Sequence, residues 1–513
     1  MTKILDIKQD ELDALLERVR TNSLKEGDYD LIKALVETVS YLSTLSAEKS
    51  ASIKRLLNML FGEKTEKADR KKADESLKKP KEKTKGHGKN GASDYKGAQK
   101  IKVSHQTLKS GNDCPACLKG KVYGEKPPAR IVRITGGAPF KATVYELTRL
   151  RCNLCGQVFT AQAPSNIGDE KYDARSGTML ALLKYGSGVP LYRIGKLQAS
   201  LGIPLPPSTQ WEIIEKVADK IHPVYAELIR QAAQGHVLYN DDTPMKILSL
   251  MKETEKETQR KGLFTSGILS ECDAGKVALF FTGRSHAGEN LARVLENRAS
   301  QKDPPIQMCD ALSRNLPREF KSILCNCLVH GRRHFIDIMA DFPEECGHVI
   351  DTLSLIYKHD QEAKEQNLTA DQRLTYHQMH SKPLMQALKT WLETKLGQRE
   401  VEPNASLGKA MKYMLKNWDA LTRFLDVPGA PLDNNLCEQL LKRSILHRKN
   451  SLFYKTEHGA YIGDLFMSLI HTCNLHDVNP FDYLTTLQDR SSDLFQNPRN
   501  WLPWNFEENA AHP

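Results

Sequence analysis

Between His236 and Asp341, short apolar runs of strand length alternate with helical segments, and two of those runs end on an acid. His236 to Asn240 reads as a strand ending at Asp241-Asp242-Thr243-Pro244. Met245 to Met251, Gly262 to Leu269 and Val277 to Thr282 read as further strands, and His286 to Asn297 as a helix. Ile306 to Met308 makes a strand ending on Cys309-Asp310, and Ser322 to Val329 another before a helix over Arg332 to Asp341. Apolar runs of this length, bounded by turn residues, suit buried strands, and their alternation with helices commits this part of the chain to an α/β layer architecture.

Strands first, then a helix, a strand, and strand and helix again is the order of a ribonuclease-H-like sheet, with Asp241 and Asp310 ending neighbouring strands. Two carboxylates on adjacent strand ends can share a pair of divalent ions. From Pro343 to Val427 the pattern is helical and charged, so a helical insertion interrupts the sheet. Beyond it, Leu432 to Tyr454 reads as a loop entering an amphipathic helix: Asp433 or Asn434 can cap the first turn, and Leu436, Leu440 and Leu441 repeat at helical spacing. Glu438 then sits on the first or second turn, with Lys442, Arg443, His447, Arg448 and Lys449 close behind. One acid inside a basic surface suits a metal-dependent enzyme acting on a polyphosphate, the ion taking the carboxylate and the cations the phosphates. A capped surface helix with a solvated charged face accounts for the same residues. Gly459 to Asn474 is a further apolar helix, Asn479-Pro480-Phe481 caps a short last one, and the tail from Ser491 reads as irregular.

Upstream, two C-x-x-C pairs, Cys114-Pro115-Ala116-Cys117 and Cys152-Asn153-Leu154-Cys155, can close a tetrahedral four-thiolate site for structural Zn²⁺, with short strands at Lys121 to Tyr123, Ala129 to Ile134 and Thr143 to Arg151. This is a zinc ribbon; a redox dithiol is the alternative, but such motifs come singly. Tyr172 to Tyr225 is helical, and Leu191 to Leu201, a tight turn at Gly202-Ile203-Pro204 and a new helix capped by Ser208 have the punctuation of a helix-turn-helix, which many helical hairpins that never touch DNA share. Gln9 to Arg20 and Tyr29 to Phe61 read as helices. In the second, Leu31, Leu35, Leu42, Leu45, Leu56 and Met59 trace a heptad ladder interrupted at Thr38, Lys49 and Ser52, a short coiled coil suited to dimerisation. Cys325, Cys327 and His330, with His471 and His476, invite a second metal site, against which stands the frequency of structural cysteines where a buried strand ends.

At 513 residues the chain is too long for one core, and no apolar run reaches membrane-spanning length. The first ten residues lack the features of a signal peptide, which points to the cytoplasm. Eleven cysteines suit metal and free thiols better than a disulfide framework. Of the net charge of +10, the stretch from Lys64 to Lys102 supplies +8, with fourteen Lys or Arg against six Asp or Glu. Such an arm attracts nucleic acid without regard to sequence, or serves as a solubilising linker. The expected division is a coiled coil (1–62), basic arm (63–107), zinc ribbon (108–165), helical helix-turn-helix-like domain (166–232), first part of the core (233–342), helical insertion (343–428), last part of the core with the Glu438 helix (429–490) and a tail (491–513).

Asp241-Asp242-Thr243, the Asp310 strand end, Cys327-Leu328-Val329-His330-Gly331-Arg332-Arg333 and the stretch from Asp433-Asn434-Asn435 to Phe453, in that order, resemble transposases of the insertion-sequence-sixty-six family. The resemblance extends to the N-terminal helices, the Gly86-His87-Gly88-Lys89-Asn90-Gly91 arm, the cysteine module and the Asn479-Pro480-Phe481 C-terminus. It implies a DDE transposase with Asp241, Asp310 and Glu438 as catalytic acids holding two Mg²⁺. Its implied partners are inverted-repeat ends and target DNA, further copies of itself and small accessory proteins of the same element, in a bacterial cytoplasm and on the nucleoid when DNA-bound. Arg332, Arg333, Lys442, Arg443, Arg448 and Lys449 are the candidate phosphate contacts. The family usually carries Glu where Asp242 stands, Arg where Gln439 stands, and an aromatic at Ser451. A non-catalytic DNA-binding protein with a decayed nuclease core is the rival reading, and a repair nuclease of the same fold a third.

Overall fold

The computed structural model describes residues 9–21, 23, 25, 27–34, 101, 104–117, 119–123, 137–151, 153, 155, 157–165, 170–254 and 261–510. The chain forms two compact units, Met1–Asp94 and Tyr95–Pro513. In the first, α1 (Gln9–Arg20) spans the expected helix, and Arg18 closes a two-point ion pair on Asp28, both bonds 3.0 Å. Most of the expected coiled coil and basic arm lies outside the described residues.

The second unit is mixed α/β. Around the cysteine pairs it carries a tight turn closed by Cys114 N–H on Gly120 O (2.7 Å) and a small antiparallel pair, β1 (Arg149–Arg151) with β2 (Val158–Thr160). Helices follow: α2 (Ala174–Ala181) running into a π turn at Leu182–Gly186, α3 (Leu191–Ser200) and α4 (Pro207–Ala232). The break between α3 and α4 lies where expected, at Gly202 (φ +74°), but Pro206 and Pro207 start the second helix, not a Ser208 cap. α4 shares the core of the sheet: Tyr225 hydroxyl donates to Phe280 O (3.2 Å) and Ser270 Oγ to Ala232 O (2.7 Å).

Five strands make the main sheet: β3 (Val237–Pro244), β4 (Phe264–Cys272), β5 (Gly275–Gly283), β6 (Ile306–Cys309) and β7 (Ile323–Asn326), ordered β5-β4-β3-β6-β7. The first three are antiparallel neighbours, and β3, β6 and β7 run parallel. Val277, Ala278, Leu279 and Phe280 are all fully buried, which fits β5 lying under helices. Met245 to Met251 is not a strand. After Pro244 the chain bonds to the segment behind the Glu438 helix, Leu248 N–H to Tyr454 O (2.9 Å) and Tyr454 N–H to Lys246 O (2.9 Å), then coils into α5 (Leu248–Thr254). α6 (Ala287–Leu295) crosses between β5 and β6. α7 (Leu328–Ile336) starts four residues earlier than expected, with Cys327 at its cap, so β7 is short.

The insertion is helical, as read: α8 (Pro343–Glu365), α9 (Ala370–His380), α10 (Lys382–Gly397), α11 (Ser406–Lys416) and α12 (Trp418–Leu421). It is tied to the sheet by Arg423 Nε on Leu324 O (3.3 Å). α13 (Asn435–Ser451), α14 (Glu457–Leu475) and α15 (Pro480–Asp489) complete the unit. The tail is more ordered than its composition suggests: α16 (Ser491–Gln496) and α17 (Phe506–Ala510) bury Leu494, Trp501, Leu502 and Phe506. No helix among the described residues is long and apolar enough to cross a membrane.

Candidate active site at the ends of β3 and β6

Strand alternation separates the two adjacent aspartates. Asp241 lies opposite Gly267 and Asp242 opposite Ser266, and successive side chains leave opposite faces of a sheet. On the Gly267 face sits α13. Cys437 Sγ donates to Gly267 O (3.3 Å), and a Cβ on Gly267 would come within 3.0 Å of Leu441 Cδ2. The missing side chain therefore lets α13 settle against the sheet beside Asp241. On the Ser266 face sits the start of α6, where Asp242 is buried against His286 Nδ1 (2.9 Å) and Arg314 Nη2 (3.4 Å). Asp241 thus shares the face of the Glu438 helix, and Asp242 does not.

Asp310 comes to the same level. β3 and β6 are parallel with Tyr239 opposite Met308, and that register carried two residues on sets Asp310 beside Asp241. Asp310 Oδ1 accepts from Leu312 N–H (3.2 Å) and from the side-chain amide of Asn315. The carbonyl of Asn315 in turn accepts from Asn240 Nδ2 and Gln307 Nε2, both 2.8 Å. These three fully buried amides fix the loop after β6, and the sequence reading did not single them out.

Glu438 sits on the first turn of α13, whose start is pinned three ways. Asn434 Nδ2 donates to Asn240 O (3.3 Å), Asn434 N–H to Cys327 Sγ (3.3 Å), and Leu328 N–H to Leu432 O (3.0 Å). Asn434 is the cap residue without a side-chain cap bond, while Asp433 Oδ1 accepts from Asn435 N–H (3.1 Å). Glu438 Oε1 is buried without a hydrogen-bond partner.

Burial, with the charges of Asp310, Asp242 and Glu438 added, raises Asp241 to about 7, although Asp242 N–H donates to its Oδ1 at 2.8 Å. Hard carboxylate oxygens crowded in this way, one of them buried and unpartnered, suit divalent cations of the Mg²⁺ kind. Among the described residues, the set of three whose ligand atoms all lie within 4.8 Å of one another is Cys327, His330 and Glu438. The three acids form no set that tight. Cys327 is fully buried, and burial pushes its thiol up to about 11.

The candidate cations divide. Lys442, Arg443 and Lys449 are exposed on α13, Arg333 is exposed on α7, and Arg332 is half-buried with Nε unpartnered. Arg448 turns to the sheet, donating through Nη1 to Thr243 Oγ1 (3.1 Å) and to Pro244 O. Of the zinc-type cysteines, Cys152 lies outside the described residues. Cys114 is half-buried, and Cys117 and Cys155 are exposed. Backbone amides of Lys119 and Gly120 bonded to Cys117 lower its thiol below the ordinary range.

A family model described as "Transposase IS66 family" matches residues 172–462, more than half of the chain and a span within which Asp241, Asp310 and Glu438 fall. The chain belongs to the IS66 transposase family. It is also similar to three uncharacterized proteins of Sinorhizobium fredii (strain NBRC 101917 / NGR234). With y4jD it is 26% identical over 409 residues, 76% of this chain and 78% of that protein. With y4hP it is 24% identical over 359 residues, 64% of this chain and 61% of the relative, and with y4qI 23% identical over 363 residues, 64% and 62%. The chain thus spans under two thirds of the latter two. The IS66 match begins at α2 and ends within α14, so the sheet, the insertion and α13 all fall inside it, and the cysteine module lies before it.

Proposed function

We propose that this IS66 transposase cuts and joins insertion-sequence ends by phosphodiester hydrolysis and strand transfer in a ribonuclease-H-like core, with Asp241, Asp310 and Glu438 as the catalytic acids. The observation that carries the reading is the shared register of Asp241 and Asp310 under the first turn of α13, on the face that Asp242 does not reach. Asp241 would be shared between two Mg²⁺, with Asp310 and Glu438 each completing one shell. Bound there, the pair supplies an activated oxygen nucleophile and charge neutralisation at the leaving oxygen of an in-line displacement. The chain's own part is placement. Asn315 and Leu312 hold Asp310, the Asn434 bonds hold the helix carrying Glu438, and Arg448 ties that helix to the end of β3. Arg332, Arg333, Lys442, Arg443 and Lys449 serve as phosphate contacts that position DNA.

Cys114, Cys117, Cys152 and Cys155 hold a structural Zn²⁺ in this reading, supported by the amide bonds to Cys117. The N-terminal helices pair copies of the chain, and the basic arm and the hairpin of α3 and α4 contact the ends. Alanine at Asp241, Asp310 or Glu438 is expected to abolish Mg²⁺-dependent nicking of a plasmid carrying the inverted repeats while leaving end binding intact. A variant that still nicks removes that residue from the assignment, and wild-type protein that binds ends without nicking leaves the non-catalytic DNA-binding reading in its place.

A further inference from the structure

A histidine stands beside Glu438 without a role so far. α7 and α13 start side by side, joined by Leu328 N–H on Leu432 O and Asn434 N–H on Cys327 Sγ. That junction puts His330, on the first turn of α7, against Glu438, on the first turn of α13, with His330 Nε2 3.9 Å from Glu438 Oε1. Both side chains are about one quarter exposed, yet Glu438 Oε1 and His330 Nδ1 are each buried and unpartnered. The separation is ion-pair range, beyond a hydrogen bond. Cys327, the third member of the cluster, is already occupied: its sulfur is fully buried and accepts the Asn434 N–H, so it serves the junction of the two helices.

Next to His330, a Cβ on Gly331 would meet Met414 Sδ at 2.7 Å. The insertion therefore packs directly against α7 at Gly331, and His334, one turn on from His330, lies 4.4 Å from Tyr413 ring to ring.

We infer that His330 is a positioning residue that orients the Glu438 carboxylate for its divalent cation. The inference rests on the proposed role of the three acids. A carboxylate ligand usually has an outer partner that fixes its orientation, and losing such a partner costs about tenfold or more in metal affinity.

The test uses the full-length chain as wild type, His330→Ala, His330→Gln and, as the marker for loss of the acid site, Asp241→Ala. Mn²⁺ binding is followed without DNA by the paramagnetic resonance signal of the free ion, beside the Mg²⁺ dependence of strand cleavage, the Tm and the zinc content. His330→Ala is expected to weaken Mn²⁺ binding about tenfold and to raise the Mg²⁺ concentration for half-maximal cleavage by a similar factor, with end binding unchanged. His330→Gln, which keeps an N–H donor at similar reach, is expected to recover most of that loss, and it carries the test if the alanine variant unfolds. Unchanged Mn²⁺ affinity in both variants overturns the inference, as does equal loss in both at wild-type Tm. A zinc content that falls with His330→Ala also overturns it, since the ring would then be a ligand in its own right. Wild type that fails to cut while His330→Ala still loses Mn²⁺ affinity sinks the transposition chemistry and keeps the inference; wild type that cuts with Mn²⁺ affinity unmoved sinks the inference alone.

Discussion

Asp464 shows how much a single residue's surroundings outweigh its type. It lies inside α14, a helix whose apolar run conceals one acid, and both of its oxygens accept from Thr282, N–H at 2.6 Å and Oγ1 at 2.7 Å. Burial nonetheless raises it to about 7, against about 3.9 in an unfolded chain. Between roughly pH 4 and pH 7 the unfolded chain has therefore released this proton while the folded chain keeps it. The folded form binds more protons, so stability falls as pH rises through that window and levels off above it. Asp464→Asn is expected to flatten that slope, gaining on wild type as pH rises, and urea unfolding across the window measures it. Equal slopes in the two proteins would mean that Asp464 is ionised in the fold throughout. Asp241 and Asp242 teach a related lesson. They are neighbours in the sequence, yet strand alternation gives Asp241 to Glu438's face and Asp242 to His286 and Arg314.

At the scale of elements, α14 does for β5 what another strand would otherwise do. β5 is an edge of the sheet, with N–H groups of Ala278, Phe280 and Thr282 pointing outward. Thr472 Oγ1 accepts from the first (3.1 Å), Ser468 Oγ from the second (3.0 Å) and Asp464 from the third. Four residues of helix rise about 6 Å and two residues of strand about 6.8 Å, so acceptors at every fourth position match donors at every second. An edge covered in this way cannot recruit another chain. Ser468→Ala is expected to leave the Phe280 N–H buried and unpaired, at a cost of about 1–3 kcal/mol, readable in chemical denaturation. A change of only a few tenths would show that water takes the place of the hydroxyl. The ladder was not legible beforehand, because Ser468 and Thr472 look like tolerated small polar residues until the strand opposite them is known. The strands were legible where apolar residues ran together, as in Val277 to Phe280. Met245 to Met251 deceived, because Met245 and Ile247 alternate before Leu250 shifts to helical spacing, and only the partner segment at Tyr454 shows the turn. Asp241, Asp310 and Glu438, the acids of the proposed site, stand out in the sequence because they lie at element boundaries. Asn315, Gly267 and His330 were missed in those roles, since their work depends on a residue distant in the chain.

Along the sequence, the excess charge and the candidate acids fall in different segments. The stretch from Lys64 to Lys102 carries +8 of the net +10, so the rest of the chain, with the acids, is nearly balanced at +2. A protein that gripped DNA chiefly around its acids would concentrate its cations there, whereas this one keeps most of its excess in one segment of sequence. Attraction by such a segment is a counterion effect, with the logarithm of affinity falling by about 0.9 per phosphate contact for each tenfold rise in salt. Replacing Lys78, Lys79, Lys81, Lys83, Lys85 and Lys89 by glutamine is therefore expected to make DNA binding much less salt-sensitive, with a slope smaller by up to roughly 5 in magnitude. Cleavage at saturating DNA should keep its Mg²⁺ dependence, because none of the six lies near the acids in sequence. Fluorescence anisotropy with a labelled duplex, titrated from about 50 to about 200 mM salt, reads the slope. Lys442→Gln makes the contrast: a single charge one turn from Glu438 changes the slope by about 1 at most, whereas the proposed site puts the scissile phosphate beside it, so its effect is expected in the cleavage rate. Should the six-lysine variant retain the wild-type slope, the affinity resides in the folded unit, and the cations of α7 and α13 hold DNA as well as aim it.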